Sequence, residues 1–513
     1  MFSDYVPFDP MPEGGPHFGG RMRRRLLLRL PLGEVPDHLP TFSDCLRRMT
    51  SFADTIDGGV VDRLIRHHCG GARTCRLHSA ARYAGSHLRV PMPARAYDDL
   101  EMLSGVARVL RLELQSDDGF EALVDALRQL ASVEDVSPNY LCTLSLEVPQ
   151  AAPDTLRDDA GWSTRRMIRT AEALGYEPGD EGVIVGLLDT GVAQQHRELA
   201  GKLRRGFDAV ALDASAVGGD LRLIGPHHPD NEPDDDVGHG TGCAGIIGAL
   251  GDSMPPGLAG QSTLLPVRVL GTAVGKNHKP VGIGSIADID RGMKRLIDLG
   301  AKVINMSFGT PESMLGEHDP PPHTEVVNYG LARGCILVAA SGNSGATERF
   351  FPAAHPGVIA VGAVDADGRL SHFSTRGEHV ALCAPGERIE TSGIVVVESG
   401  NAVGGSQDSA PVYQWATGTS FAAPFVTATA ALLVARAARR ALPLDPATAR
   451  DVLIRSTRPF ATTTDGAGNG VLDALAALRL LDDQLDTLLD EDDVTWEDVA
   501  SPTPDEKGGR PNV

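Results

Sequence analysis

The sequence predicts an α/β fold: a doubly wound parallel sheet with helices on both faces, preceded by a smaller α+β region. Three observations predict it. From Gly182 onward, short apolar β-rich runs alternate with helical patterns, as in a parallel sheet covered by helices. Between Val109 and Asn139, an alternating run, an amphipathic run and a second extended run follow one another as a βαβ-like unit. The polar, Pro/Ala-rich stretch from Glu147 to Asp154 separates the two regions and reads as a linker.

In chain order, Val109–Leu114 alternates with its three leucines on one face, Phe120–Leu130 reads as a helix, and Val133–Asn139 returns to extended chain. The strand candidates of the main sheet are Val183–Leu188, Leu264–Leu270, Lys302–Ser307, Ile336–Ala340, Val358–Val364 and Val380–Ala384. Ile286–Leu299 carries Ile286, Ile289, Met293, Leu296 and Ile297 at helical spacing, and Glu325–Ala332 is a shorter helix. Phe421–Ala441 is apolar nearly all round, so it is expected to be a central buried helix, with Pro424 in its first turn and Ser420 at its N-terminus. Beyond Leu480 the aspartates and glutamates through Asp498 read as a solvated, disordered tail.

The 513 residues are 42% hydrophobic and 22% charged, an ordinary globular composition with room for two to four domains. A net charge of −21 argues against phosphate-backbone binding and against an anionic membrane surface, so no nucleic-acid or membrane partner is expected. The seven cysteines are odd in number and several sit in apolar runs, which reads as buried free thiol. The first ten residues lack a basic segment followed by an apolar one, and the basic-then-apolar run Arg21–Arg29 is too short for a leader. These features point to a cytoplasmic protein, with export without a signal peptide as the alternative.

Three separated segments carry the chemistry: Val185-Gly186-Leu187-Leu188-Asp189-Thr190-Gly191, Gly238-His239-Gly240-Thr241-Gly242-Cys243-Ala244-Gly245 and Gly418-Thr419-Ser420-Phe421-Ala422-Ala423-Pro424. A serine hydroxyl attacks a carbonyl only when a histidine takes its proton, and that imidazole needs a carboxylate to fix its tautomer and stabilise its cation. Alone, Asp189 reads as a turn residue, His239 as a helix cap and Ser420 as an N-cap. Together, in the order Asp, His, Ser, they resemble the subtilisin-like serine proteases (subtilases, peptidase S8), over about Trp162 to Leu480.

The resemblance implies a subtilisin-like fold and a serine endopeptidase working through an acyl-enzyme on Ser420, with Asp189 orienting His239. It assigns Asn343, in Ser341-Gly342-Asn343-Ser344-Gly345, to the oxyanion hole, with the Ser420 backbone N–H as second donor. It further assigns Ser307-Phe308-Gly309 and Gly282-Ile283-Gly284 to substrate binding by strand addition. No cofactor is required for this chemistry. Structural calcium is open, with Glu198 and Asp252 as weak candidates. The region around 109–139 is similar to the second half of the family's inhibitory prodomain, which makes the N-terminal region an expected intramolecular inhibitor beside a peptide or protein substrate. The implied boundaries are 1–85 of unassigned role, 86–150 prodomain-like, 151–480 catalytic and 481–513 tail.

Several readings stay open on sequence alone. The acidic run Asp230–Asp236 ahead of His239 fits a subsite for basic residues, a calcium loop or a solvated turn. Phe308 fits either the cleft or the core. His67, His68, Cys69, Cys75 and His78 match no closed zinc spacing. Ala346–Pro352 carries bulky residues where the family's primary pocket usually closes. A catalytically silent scaffold is the rival from another class, and the intact set Asp189, His239, Ser420 and Asn343 argues against it.

Overall fold

The computed structural model describes residues 5–7, 20–81, 96–144, 150–151, 159–212, 222–274, 280–394, 412–462 and 464–492. Among them, seven strands form the main sheet in the order Val380–Pro385, Ile359–Val364, Ile336–Ala340, Val303–Met306, Ile184–Asp189, Thr263–Arg268 and Phe207–Asp208. Every neighbouring pair is parallel. The six expected strands are all present, within two residues of their expected ends at most positions. Alternate residues of each strand feed two cores: Val185 and Leu187 pack on one face, Ile184 and Leu188 on the other. Helices His239–Gly248 and Thr419–Arg439 cover the first face, and Ile286–Asp298 and Thr324–Ala332 the second. That is the doubly wound arrangement, and it brings the strand ends to one edge.

The helix Thr419–Arg439 is long and apolar enough to cross a membrane, yet 83% of its apolar stretch is buried within the fold. It is a core helix. It begins two residues earlier than its apolar pattern, which moves Pro424 from the expected first turn to the sixth helical position. Proline has no N–H to donate four residues back, so the Ser420 carbonyl loses its helical partner. Ser307 Oγ donates to that oxygen instead, at 2.7 Å.

The N-terminal region forms a mainly antiparallel sheet whose core strands run Ala72–Arg76, Val109–Leu114, Gly20–Arg29 and Asp135–Leu144. Helices Val60–Cys69 and Phe120–Arg128 pack one face of it through Ile65, Phe120, Leu123 and Leu127. Gly20–Arg29 lies between strands from the far side of residue 85, so a single sheet spans the expected boundary there. Asp135–Leu144 also pairs antiparallel with Pro280–Ser285, which joins this sheet to the catalytic region.

The expected disordered tail is corrected over its first part. Ala474–Asp492 is one helix, with Leu478, Leu481 and Leu485 buried at helical spacing and Asp482 paired with Arg436 at 2.8 Å. The aspartates between those leucines mask the apolar stripe. Residues 493–513 lie outside the described residues.

Candidate active site

Asp189 is the last residue of its strand, at the carboxyl edge of the sheet, and only 1% exposed. Its Oδ1 accepts from the Thr190 N–H and from His239 Nδ1, both at 2.7 Å. An ionised carboxylate only accepts, so the proton of this bond sits on Nδ1 and leaves Nε2 free to take another. His239 opens the helix His239–Gly248 after Gly238, whose φ of 92° is costly for a residue with a Cβ. At Gly240 a Cβ would stand 2.1 Å from the Gly191 carbonyl oxygen, so only glycine lets this helix approach Asp189.

Ser420 is the second residue of the long helix and 7% exposed. The ring of its neighbour Phe421 lies 4.9 Å from the His239 imidazole, centroid to centroid. Cys243, one turn beyond His239, stands 3.9 Å from His239 Nδ1 and 3.4 Å from the Ser420 carbonyl oxygen, bracketing the two. Burial first, then the Asp189 charge, pushes the Cys243 thiol well up from its ordinary range. It stays protonated beside the histidine and is no competing nucleophile.

Asn343 Oδ1 accepts from the Thr419 N–H at 2.9 Å and the Thr419 hydroxyl at 2.8 Å. With its oxygen so engaged, the side-chain amide keeps Nδ2 as its donor. A Cβ at Gly418 would lie 3.3 Å from that Nδ2, so the donor sits against the turn leading into Ser420. Donors fixed before reaction stabilise a developing oxyanion most.

The two expected binding segments flank a strand of the chain itself. Leu144 faces Gly282, Thr143 faces Ile283 and Cys142 faces Gly284 in antiparallel register. On the other side Cys142 Sγ donates to the Gly309 carbonyl at 3.2 Å. Ser307 and Phe308 themselves are 0% and 2% exposed. Ser307 bonds inward to Ser420 and Phe308 belongs to the core, so of that segment the backbone at Gly309 is what meets the strand.

The acidic run departs from its sequence reading at Asp235. Its carboxylate is 8% exposed and accepts from Thr190 Oγ1, Val237 N, Gly238 N, Thr241 N and Thr241 Oγ1. It is a clamp on the segment before His239, neither a subsite nor a solvated residue. Asp236 faces Arg268, and burial pushes its carboxyl up to about 6. Nothing in the run of five carboxylates, an asparagine and a proline singles out Asp235; only the fold directs it inward.

The calcium candidates do not fit a cation. Glu198 is wholly buried, and its oxygens accept from the backbone N–H groups of Gly251, Asp252 and Ser253 at 2.7–3.0 Å. Those N–H dipoles point where an ion would stand. Asp252 pairs at the surface with Arg197 at 3.5 Å. Among the described residues, the one group of His, Cys, Asp and Glu with clustered ligand atoms is Asp189, His239 and Cys243, inside the site itself.

The Subtilase family pattern matches residues 180–476. Thermophilic serine proteinase of Bacillus sp. (strain AK1) is 31% identical over 62% of this chain and 67% of its own length. The Extracellular basic protease of Dichelobacter nodosus is 30% identical over 59% of this chain and 52% of its own. Among solved structures, fervidolysin from Fervidobacterium pennivorans, described as a keratinolytic enzyme related to subtilisin, superposes with a TM-score of 0.59 at 20% identity, over 93% of this chain and 63% of its own. That likeness is one of fold.

These relatives correct the cytoplasmic expectation, since one of them is extracellular by name. The thiols do not speak for the cytosol either. All seven cysteines are free and buried, where they pack as small apolar side chains whatever the redox state outside.

Proposed function

The chain belongs to the subtilase family and is a subtilisin-like serine protease, and on that premise we propose that it is an endopeptidase with Ser420 as its nucleophile. The 2.7 Å bond between Asp189 Oδ1 and His239 Nδ1, buried beside Ser420, is the observation that carries this reading. His239 Nε2 takes the Ser420 proton as Oγ attacks the peptide carbonyl, while Asp189 balances the imidazolium. Asn343 Nδ2 and the Ser420 N–H hold the oxyanion. The same imidazolium then gives its proton to the leaving amine, and water hydrolyses the acyl-enzyme by the reverse route. Ser420→Ala is expected to lower peptide turnover by about 10⁴-fold or more.

We further propose that the N-terminal region is the enzyme's own inhibitor. Its strand Leu141–Leu144 pairs with Gly282–Ser285 as an extended peptide would, and Gln150–Ala151 pairs with Gln414 and Trp415 farther along the chain. Ion pairs hold the region down: Lys294 with Glu101 at 2.5 Å, Arg29 with Glu325 at 2.6 Å, and Arg128 with Asp319. Cys142→Arg in the full chain, by burying a charge in the docked strand, is expected to raise turnover of a short peptide. Unchanged turnover would count against inhibition.

The substrate residue just before the cut is, on this reading, small. Phe350 is 6% exposed, and its ring atoms lie 2.3 Å from a Cβ built on Gly309 and 3.2 Å from one on Gly342, the neighbour of Asn343. The ring fills the glycine-lined space beside the oxyanion donor, which leaves little room for a large side chain there.

A further inference from the structure

We infer that Ser307 is a positioning residue for the nucleophile, the last link of a buried relay that replaces the helical hydrogen bond Pro424 removes. Resting on the reading of Ser420 as nucleophile, this assigns to Ser307 a task in place of substrate contact. In an unbroken helix the N–H of residue 424 would donate to the Ser420 carbonyl. Proline has none, and its ring crowds that carbonyl. A carbonyl left bare in the interior is destabilising, and here it belongs to the residue whose hydroxyl must meet His239 and whose N–H must meet the oxyanion.

The relay has one consistent direction. Thr427 Oγ1 donates to Asn305 Oδ1 at 2.9 Å, Asn305 Nδ2 donates to Ser307 Oγ at 2.8 Å, and Ser307 Oγ donates to the Ser420 carbonyl at 2.7 Å. Because Asn305 spends an N–H on Ser307 Oγ, the Ser307 proton is committed to Ser420. Thr427, Asn305 and Ser307 are all 0% exposed, so water offers no substitute. Asn305 sits in the strand Val303–Met306, paired with Leu187 of the Asp189 strand. Thr427 lies two turns beyond Ser420 on the same helix. The relay therefore ties the first turn of the nucleophile's helix to the strand next to the one that ends in Asp189. Cys243 Sγ adds a weaker donor to the same carbonyl at 3.4 Å.

The test is made on the full chain. Ser307→Ala is expected to lower kcat by about 10- to 100-fold, the size of effect a slightly misplaced nucleophile produces, with KM within twofold. Ser307→Thr, which keeps the hydroxyl, should retain most of the activity. In Ser307→Ala/Pro424→Ala the N–H returned at position 424 reaches the Ser420 carbonyl, so kcat should recover severalfold over the single variant, whatever the change in melting temperature. Wild-type kcat in Ser307→Ala, or no recovery in the double variant, overturns the inference. Fluorophosphonate labelling of each variant, with the adduct mapped by peptide mass, separates this from the reading beneath it. An adduct on Ser420 with unaltered kcat in Ser307→Ala sinks the relay alone, whereas no adduct on Ser420 in the wild type sinks the nucleophile assignment.

Discussion

Asp235 holds Thr241 by two bonds at once, accepting from its backbone N–H at 2.9 Å and its hydroxyl at 2.6 Å through the same carboxylate oxygen. The other oxygen takes the Thr190 hydroxyl at 2.8 Å, and Thr190 Oγ1 in turn accepts from the Gly240 N–H at 3.0 Å. One buried carboxylate thus links the residue after Asp189 to the first turn of the His239 helix.

Asp235→Asn replaces one acceptor oxygen by an NH₂ facing other donors, a loss of about 1–3 kcal/mol. It is expected to lower kcat/KM at least about tenfold for every peptide alike. A peptide-library profile checks this. A selective loss for substrates bearing Arg or Lys would instead return Asp235 to the subsite role that its acidic neighbours suggest.

On the proposed reading, Asn343→Ala removes a donor aimed at charge that exists only in the transition state. The expected result is a fall in kcat of about 10²–10³ with KM little changed. Steady-state kinetics on one peptide decides it, and an unaltered kcat would remove Asn343 from the oxyanion hole.

Phe350→Ala is expected to widen specificity. Where the wild type favours Gly, Ala or Ser before the cut, the variant should gain at least about tenfold in relative kcat/KM for Phe or Leu there, since hydrophobic pockets discriminate by a few kcal/mol. Identical cleavage profiles would mean that the ring lies outside the pocket.

The contribution of Asp208 and Asp236 to stability should fall as pH rises from about 4 to about 6. Burial, outweighing the partner Arg268, pushes the carboxyls of Asp208 and Asp236 up to about 6 from their unfolded values near 3.9. Between those values the folded chain binds more protons than the unfolded one, so the contribution is full below about 4 and lost on passing 6. Melting temperatures across this range, for wild type and Asp236→Asn, measure it. Wild type should lose melting temperature relative to the variant as pH rises through this range, and parallel curves would contradict the assignment.

The main sheet was legible because its strands are buried on both faces and so read as unbroken apolar runs, as in Ile336–Ala340. The proposed triad could be picked out because Asp189, His239 and Ser420 each stand in a recognisable local setting. Less visible was Gly20–Arg29, a central strand of the N-terminal sheet. Its register shifts between Arg21 and Leu26, Arg24 has a φ of 57°, and Arg25 is 4% exposed against Glu113 at 3.2 Å. A bulge and buried arginines erase the alternation by which a strand is recognised. The clamp at Asp235 and the proposed role of Ser307 were hidden for another reason: each rests on a hydrogen-bond network, which no periodicity reports.

Whether Ser420 is the nucleophile is decided by treating the full chain with a fluorophosphonate probe and mapping the adduct by peptide mass. One adduct is expected in the wild type, on the peptide bearing Ser420, and none in Ser420→Ala. Equal labelling of the Ser420→Ala chain, or a wild-type adduct on another residue, would contradict it.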